Sequence, residues 1–381
     1  MPFEENMCNI RDKPDWTPND LLAALGDFPL LSAVFDEDWA CREYEKAAQE
    51  GEHKCHPVVW MAIRRWGGRD YLSTLEEVLA WLDGKGVRLW EHKDKLGKLR
   101  TSHEFLQVST ELRLAAAVVG TGLTVEVPES GFDLELVCPE HGRRFPLEVR
   151  RSRVNDAAAH FGLALTYAVG RDCAALPPGF RFVACGPDGW PADKWHTHFD
   201  EAFRECTAWL RGGGCVEFRS TCRVCARSED KPWEVWAVCG MWFLGPCGRP
   251  VGAGEAGGTW GGDDWVVGPV AAQLCRAVRH AREKVRKLPS LTPFWGVAYA
   301  VTGLHAAPQM GVHDREAQIC AAAWPQVLAE SPTPAIVLLY SYDVTSLRYP
   351  VWHVSPSPEL KTDDCPMACM LRRLAHPPPS P

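Results

Sequence analysis

The stretch FDLELVCPEHGRRFPLEVRR, residues 132 to 151, constrains this chain more than any other part of it. Two runs of alternating apolar and polar residues flank a Pro-Glu-His-Gly segment, the pattern of two short strands joined by a tight turn. In the first run Phe132, Leu134 and Leu136 form the apolar set, so Asp133 and Glu135 face the other way. In the second run Phe145, Leu147 and Val149 are apolar, which leaves Glu148 and Arg150 on the opposite face. A turn centred between Glu140 and His141 sets Leu134 against Leu147 and Asp133 against Glu148. Pro146 lies inside the second strand and demands either a bulge or a position where its nitrogen has no ladder partner.

Two carboxylates directly across a sheet repel, at a cost of a few tenths to about 1 kcal/mol. The ordinary resolution is a solvated face on which Asp133, Glu135, Glu148 and Arg150 pair as salt bridges. The other is a divalent cation, because hard oxygen ligands on a rigid sheet suit Mg²⁺ or Mn²⁺. Arg150 is then placed to hold a phosphate oxygen beside the ion. The helical pattern just upstream favours the second resolution. In EFLQVSTELRLAAAVVG, Val108, Glu111, Ala115 and Val118 share one stripe, so Glu111 interrupts an apolar face, where an unpartnered carboxylate is costly. If that helix packs on the sheet, Glu111 points toward Asp133 and Glu148.

The surrounding chain supplies a frame for the hairpin. Residues 1–100 read as a helical N-terminal domain, with helix-spaced apolar residues over 18–28, 58–66 and 73–84 and a lysine-rich linker, EHKDKLGKLRTSHE, at its end. TVEVP adds a strand before the hairpin. A Gly-, Trp- and Cys-rich insertion spans about 152–265, with strands expected over 180–184, 215–220 and 233–238 and a helix over 198–210. Then come a long basic helix (268–288) and FWGVAYAV (294–301), a nearly continuous apolar strand of the kind buried in a parallel sheet. A helix over 315–328, strands over 335–343 and 347–354, and a Pro-rich tail within 356–381 close the chain. Residues 101–355 are therefore expected to form a mixed α/β domain with one central mixed sheet flanked by helices.

This order of elements and acids resembles the PD-(D/E)xK, or restriction-endonuclease-like, nuclease superfamily over roughly residues 100 to 303. Glu111 matches the acid of the first core helix, Asp133 the acid of the second strand, and Glu148 with position 150 the Glu-x-Lys of the third. The resemblance implies metal-dependent hydrolysis of phosphodiester bonds in nucleic acid, DNA rather than RNA. Asp133 and Glu148 would be the Mg²⁺ (or Mn²⁺) ligands, the carbonyl of Val149 a further one, and Glu111 and Arg150 catalytic helpers. Two positions depart from the pattern. Arg150 stands where the family has lysine, and a guanidinium stays protonated and cannot shuttle a proton. The aspartate follows Phe132 rather than a proline. These departures also suit a nuclease fold without cleavage, serving as a nucleic-acid- or protein-binding module in a larger DNA-processing or defence assembly.

A formal net charge of −8 excludes a globally basic coat for nucleic acid but not a local one. Arg143, Arg144, Arg151 and Arg153 surround the hairpin, and Arg276, Arg279 and Arg282 load the basic helix, with Gln273 as a polar helper. Such patches suit phosphate contacts, an acidic protein partner or a second copy of the chain. Cys222-x-x-Cys225, with Cys239 and Cys247 as a second pair, is a candidate structural Zn²⁺ site. The first residues lack a signal-peptide pattern, and no apolar run approaches the roughly 18 residues that cross a membrane. A reduced, cytoplasmic protein is expected, with most of its 16 cysteines acting as small buried hydrophobes.

Overall fold

The computed structural model describes residues 14–50, 55–64, 68–87, 93–128, 131–140, 142–151, 156–172, 180–186, 192–212, 223–227, 231–238, 243–244, 250–251, 264–287, 294–300, 312–341, 351–358 and 370–374. The first half holds helices α1 (Pro18–Leu25), α2 (Pro29–Val34), α3 (Glu37–Glu50), α4 (Pro57–Arg64), α5 (Gly68–Gly84), α6 (Lys93–Leu99) and α7 (Ser102–Gly120), then strands β1 (Thr124–Glu126), β2 (Leu134–Val137) and β3 (Arg144–Arg151). There follow α8 (Asp156–Asp172), β4 (Arg181–Cys185), α9 (Ala192–Thr197), α10 (Phe199–Arg211), β5 (Arg223–Arg227), β6 (Glu234–Val238), β7 (Phe243–Leu244) and β8 (Pro250–Val251). The chain closes with α11 (Asp264–Lys287), β9 (Gly296–Ala300), α12 (Val312–Leu328), β10 (Ile336–Ser341) and β11 (Val351–Pro356). Two compact units result, one of residues 1–72 with 153–260 and one of residues 73–152 with 261–381.

The first unit joins α1–α4 to the long middle segment. Thr17 starts α1 with a capping box: its hydroxyl accepts the Asp20 N–H (3.2 Å), and the Asp20 carboxylate accepts the Thr17 N–H (2.8 Å). Phe35, Trp39 and buried His56 pack as an aromatic group, with ring centroids 4.6 to 5.5 Å apart. In the middle segment an antiparallel sheet of order β4-β6-β5 lies against α8 and α10. The strand expected over 215–220 lies outside the described residues. Helix α8 was not evident from the pattern, although Ala158, Phe161, Leu165 and Val169 are its buried stripe.

The second unit is built on a six-stranded mixed sheet of order β1-β2-β3-β9-β10-β11. Strands β1, β2 and β3 form an antiparallel meander, β3, β9 and β10 run parallel, and β11 returns antiparallel. The hairpin register is the one expected from a turn centred between Glu140 and His141: Leu134 pairs with Leu147 and Leu136 with Phe145. Gly142 closes the turn at φ 63°, a left-handed conformation that costs glycine little. Pro146 causes no bulge. Amide directions alternate along a strand; the Val149 N–H points to the β2 side, so the nitrogen of Pro146 faces the other way, where pairing with β9 begins only at Leu147. Gly296 opposes Leu147, and a Cβ there would lie 2.8 Å from Ile336 and 2.9 Å from the Phe145 ring.

Helices cover both faces of this sheet. On one, Leu274, Val278 and Ala281 of α11 and Ile319, Ala323 and Val327 of α12 cluster with Trp295, Val297, Tyr299, Val337 and Leu339. Glu148 and Arg150 register with Val297 and Tyr299, so they stand on the border of that apolar layer. On the other, α7 packs against β3, and the Tyr340 hydroxyl donates to the Thr110 carbonyl (3.2 Å). Among the described residues no helix is long and apolar enough to cross a membrane. None of the described cysteines forms a disulfide, and Cys55, Cys138, Cys185, Cys206, Cys275 and Cys320 are buried.

Candidate active site

The site forms where β2 begins. The chain bends through residues 131–133, so Phe132 leaves the apolar set of β2 and packs instead near Trp295, 6.5 Å between ring centroids. Asp133 comes into line with the ladder. Its Oδ2 accepts the Val149 N–H (2.9 Å), standing in for the carbonyl that a longer strand would have offered. The carboxylate thereby ends the β2–β3 pairing and is fixed beside Glu148.

Glu148 is 0 % exposed and central in β3. Burial, reinforced by the charge of Asp133, pushes its carboxyl up to about 7, against the opposing pull of Arg150 and Lys284. Arg150 forms an ion pair with Oε1 from two residues along the same strand. Lys284, in the last turns of α11, donates to Oε2 (2.8 Å). His280, one helical turn earlier and half exposed, brings Nε2 within 3.7 Å of Oε1. Burial and the nearby Arg150 and Lys284 hold that imidazole below its usual pKa.

Glu111 enters from α7, as its place on the apolar stripe implied. It is buried, and burial followed by the charge of Asp133 raises its pKa. Gln107, one turn before it, donates to Glu111 Oε1 (3.0 Å) and to the Val149 carbonyl (2.8 Å), tying the helix to the strand of Glu148. Lys95 of α6 forms an ion pair with Glu111 and reaches to 3.9 Å from Asp133 Oδ1. Glu111 thus joins the site through Asp133 and Lys95. Lys95 lies in the segment expected to be a linker, and Lys284 in the basic helix expected to meet phosphates rather than the acids. Lysines are too common on surfaces for either to be selected by pattern alone.

The basic residues part company. Arg276 and Arg279 are exposed on α11, Arg143 is exposed at the turn, and Arg151 is half-buried. Arg282, expected on the same nucleic-acid face, is instead buried: it donates to the carbonyls of Val327 (2.7 Å) and Pro332 (3.0 Å) and to Glu330 (2.8 Å). The sequence held the signal, because 274, 278, 281, 282 and 285 fall on the apolar stripe of α11. Gln273 donates no bond to the acids; its Oε1 accepts from the Tyr299 hydroxyl (2.7 Å). Arg153 and three of the four candidate zinc ligands, Cys222, Cys239 and Cys247, lie outside the described residues. Cys225 sits at a bulge in β5, between Val224 and Ala226, where its thiol meets that of Cys206 on α10.

Two residues along β2 from Asp133, the meander carries a second opposed pair, this one between β1 and β2. Glu126 of β1 lies directly across from Glu135 of β2, and Arg144 bridges them at 2.6 and 2.7 Å. Glu135 therefore belongs to an ordinary cross-strand salt bridge, whereas Asp133 and Glu148 do not.

Asp133, Glu148 and the Val149 carbonyl offer the hard oxygen donors that Mg²⁺ prefers. Glu148 Oε1 is buried and already ion-paired with Arg150, so an entering ion meets an oxygen that a guanidinium faces. Among the described residues no three His, Cys, Asp or Glu side chains converge closely enough to grip an ion as they stand. The donor chemistry fits a divalent ion, and lysine ammoniums now face the donors. No family model, curated protein or solved structure matches the chain.

Proposed function

We propose that this chain is a divalent-metal-dependent phosphodiesterase acting on nucleic acid, DNA in preference to RNA, through a PD-(D/E)xK-like site on a restriction-endonuclease-like core. One observation carries the reading: Glu148 is fully buried in the central strand of a mixed sheet, its carboxyl raised by burial and by Asp133 across the hairpin. The element order supports it, with the Glu111 helix, the β1–β3 meander, α11, and β9 parallel to β3. Mg²⁺ or Mn²⁺ held by Asp133, Glu148 and the Val149 carbonyl would lower the pKa of a bound water and offset charge on the phosphoryl oxygens. Arg150 and Lys284 stand beside Glu148, where they offset charge developing on a phosphate. Lys284 brings from a helix the ammonium that position 150 lacks. Gln107 and Asp133 fix the backbone of Val149 from its carbonyl and amide sides. Arg143, Arg276 and Arg279 supply exposed charge for the polyanion backbone.

The test is incubation of the full chain with plasmid, single-stranded DNA and RNA in Mg²⁺ and in Mn²⁺, alongside Asp133→Asn. Asparagine keeps an acceptor for the Val149 N–H while removing the charge. Cleavage by the wild type and none above background by the variant is expected. Cleavage that survives Asp133→Asn overturns the assignment. A second reading is favoured by the ion pairs on all three acids: a nuclease-like binding module without cleavage. Binding of nucleic acid with no cleavage under any of these conditions selects it.

A further inference from the structure

The acid cluster carries its own cations. Asp133, Glu148 and Glu111 face Lys95, Arg150 and Lys284, three acids to three cations, with His280 3.7 Å from Glu148. Arg150 belongs to the same strand as Glu148 and is held beside it. The lysines differ. They come from α6 and α11, reach the acids on long flexible stems, and are only 15 % and 25 % exposed. A divalent ion entering between Asp133 and Glu148 needs carboxylate oxygens that these ammoniums now face. It also adds two positive charges to a buried cluster, where the low dielectric magnifies the imbalance. A phosphodiester brings one negative charge, which offsets half of that addition. Its non-bridging oxygens are, in addition, acceptors to which the ammoniums can move.

Resting on the phosphodiesterase reading above, we infer that Lys95 and Lys284 are internal counter-cations, which hold the acids until a nucleic-acid phosphate takes them over. The divalent ion therefore binds well only together with a phosphodiester. The lysines position and neutralise the empty cluster and then transfer to the substrate.

The experiment is a Mn²⁺ titration of the full chain, read by loss of the aquo-Mn²⁺ electron paramagnetic resonance signal, with and without phosphorothioate, cleavage-resistant single-stranded and duplex DNA. Wild type, Lys95→Met, Lys284→Met, Lys95→Arg and Asp133→Asn are compared, with circular dichroism as the check of folding. In the absence of DNA each Met variant is expected to bind Mn²⁺ about tenfold more tightly than wild type, a modest step for one cation removed from a buried site. Addition of DNA should tighten wild type by a similar factor and the Met variants by less. Lys95→Arg keeps the charge and should stay close to wild type, which preserves the comparison if a Met variant is unstable. Asp133→Asn should bind no Mn²⁺ in any sample. If binding depends on Asp133 but the Met variants gain nothing, or if DNA leaves wild-type affinity unchanged, the counter-cation inference is overturned and the metal site stands. If no Asp133-dependent Mn²⁺ binding occurs with or without DNA, the phosphodiesterase reading itself falls, and this inference with it.

Discussion

The meander of β1, β2 and β3 places carboxylates opposite one another twice, and the two places have opposite fates. Between β1 and β2, Glu126 and Glu135 share Arg144, with side chains 43 %, 16 % and 55 % exposed. Water screens that repulsion and one arginine resolves it, for a net effect within about 1 kcal/mol. Between β2 and β3, Asp133 and Glu148 face inward, and desolvation becomes the largest influence on Glu148. Three cations from three elements converge there, together with a third acid. Opposed carboxylates on a sheet are therefore no sign of a site in themselves. What distinguishes the inner pair is burial maintained despite its cost, in a place where a salt bridge alone would be better made in water.

The largest expected effect tests that difference directly. Folding raises the Glu148 pKa from an ordinary 4.5 to about 7, so between those values the folded chain holds a proton that the unfolded chain has lost. The associated stability is fully present below about pH 4.5, declines as pH rises, and is gone above about pH 7. At about 1.4 kcal/mol per pH unit the span is roughly 3 kcal/mol. Glu148→Gln should remove that portion of the pH dependence. Urea denaturation of wild type and variant at several values from pH 4.5 to pH 8 checks it. Parallel curves would mean that Glu148 titrates as a solvated carboxylate, and the contrast between the two acid pairs of the meander would be lost.

Lys284→Met comes next. It withdraws one of the two close cations from Glu148, leaving Arg150, so its cost should be about 2 kcal/mol near pH 8, below the usual range for breaking a buried pair. Near pH 5 the carboxyl is protonated in both proteins, and the cost should shrink. A penalty equal at both values would place the role of Lys284 in packing of its stem rather than in its charge.

How much of this was legible before the structure depends on the range over which each signal acts. Alternation fixed which faces meet, and the symmetric choice of a turn centred between Glu140 and His141 supplied the register, in which Leu134 does oppose Leu147. Glu111 was readable from its place on an apolar stripe. Lys284 was not, since it lies 136 residues from the carboxylate it meets, and chain folding rather than local pattern brings them together. Neither was the sorting of α11 into exposed Arg276 and Arg279 and buried Arg282, until each is set against the phase of the apolar stripe. Residues 282 and 284 are about 200° apart around a helix, which lets one cation lie under α12 and the other reach the sheet. Phe132 and Asp133 mark the remaining limit: alternation describes a strand, and the chain stops being a strand one residue before the site.

The smallest expected effect belongs to the outer pair. Arg144→Ala leaves Glu126 and Glu135 opposed with no bridge, yet in an exposed setting where solvent supplies most of what the guanidinium did. The cost should be a few tenths to about 1 kcal/mol and should fall further as salt is raised from 0.05 M to about 1 M, where screening lengths drop to about 3 Å. The buried pair of Lys284 and Glu148 should lose much less to the same salt, because little electrolyte enters between them. Denaturation of Arg144→Ala and Lys284→Met at the two salt concentrations therefore separates the two pairs of the meander by mechanism as well as by size. A salt-insensitive loss of 2 kcal/mol or more at Arg144 would show that the outer pair is also held out of water, and burial could no longer be what sets Asp133 and Glu148 apart.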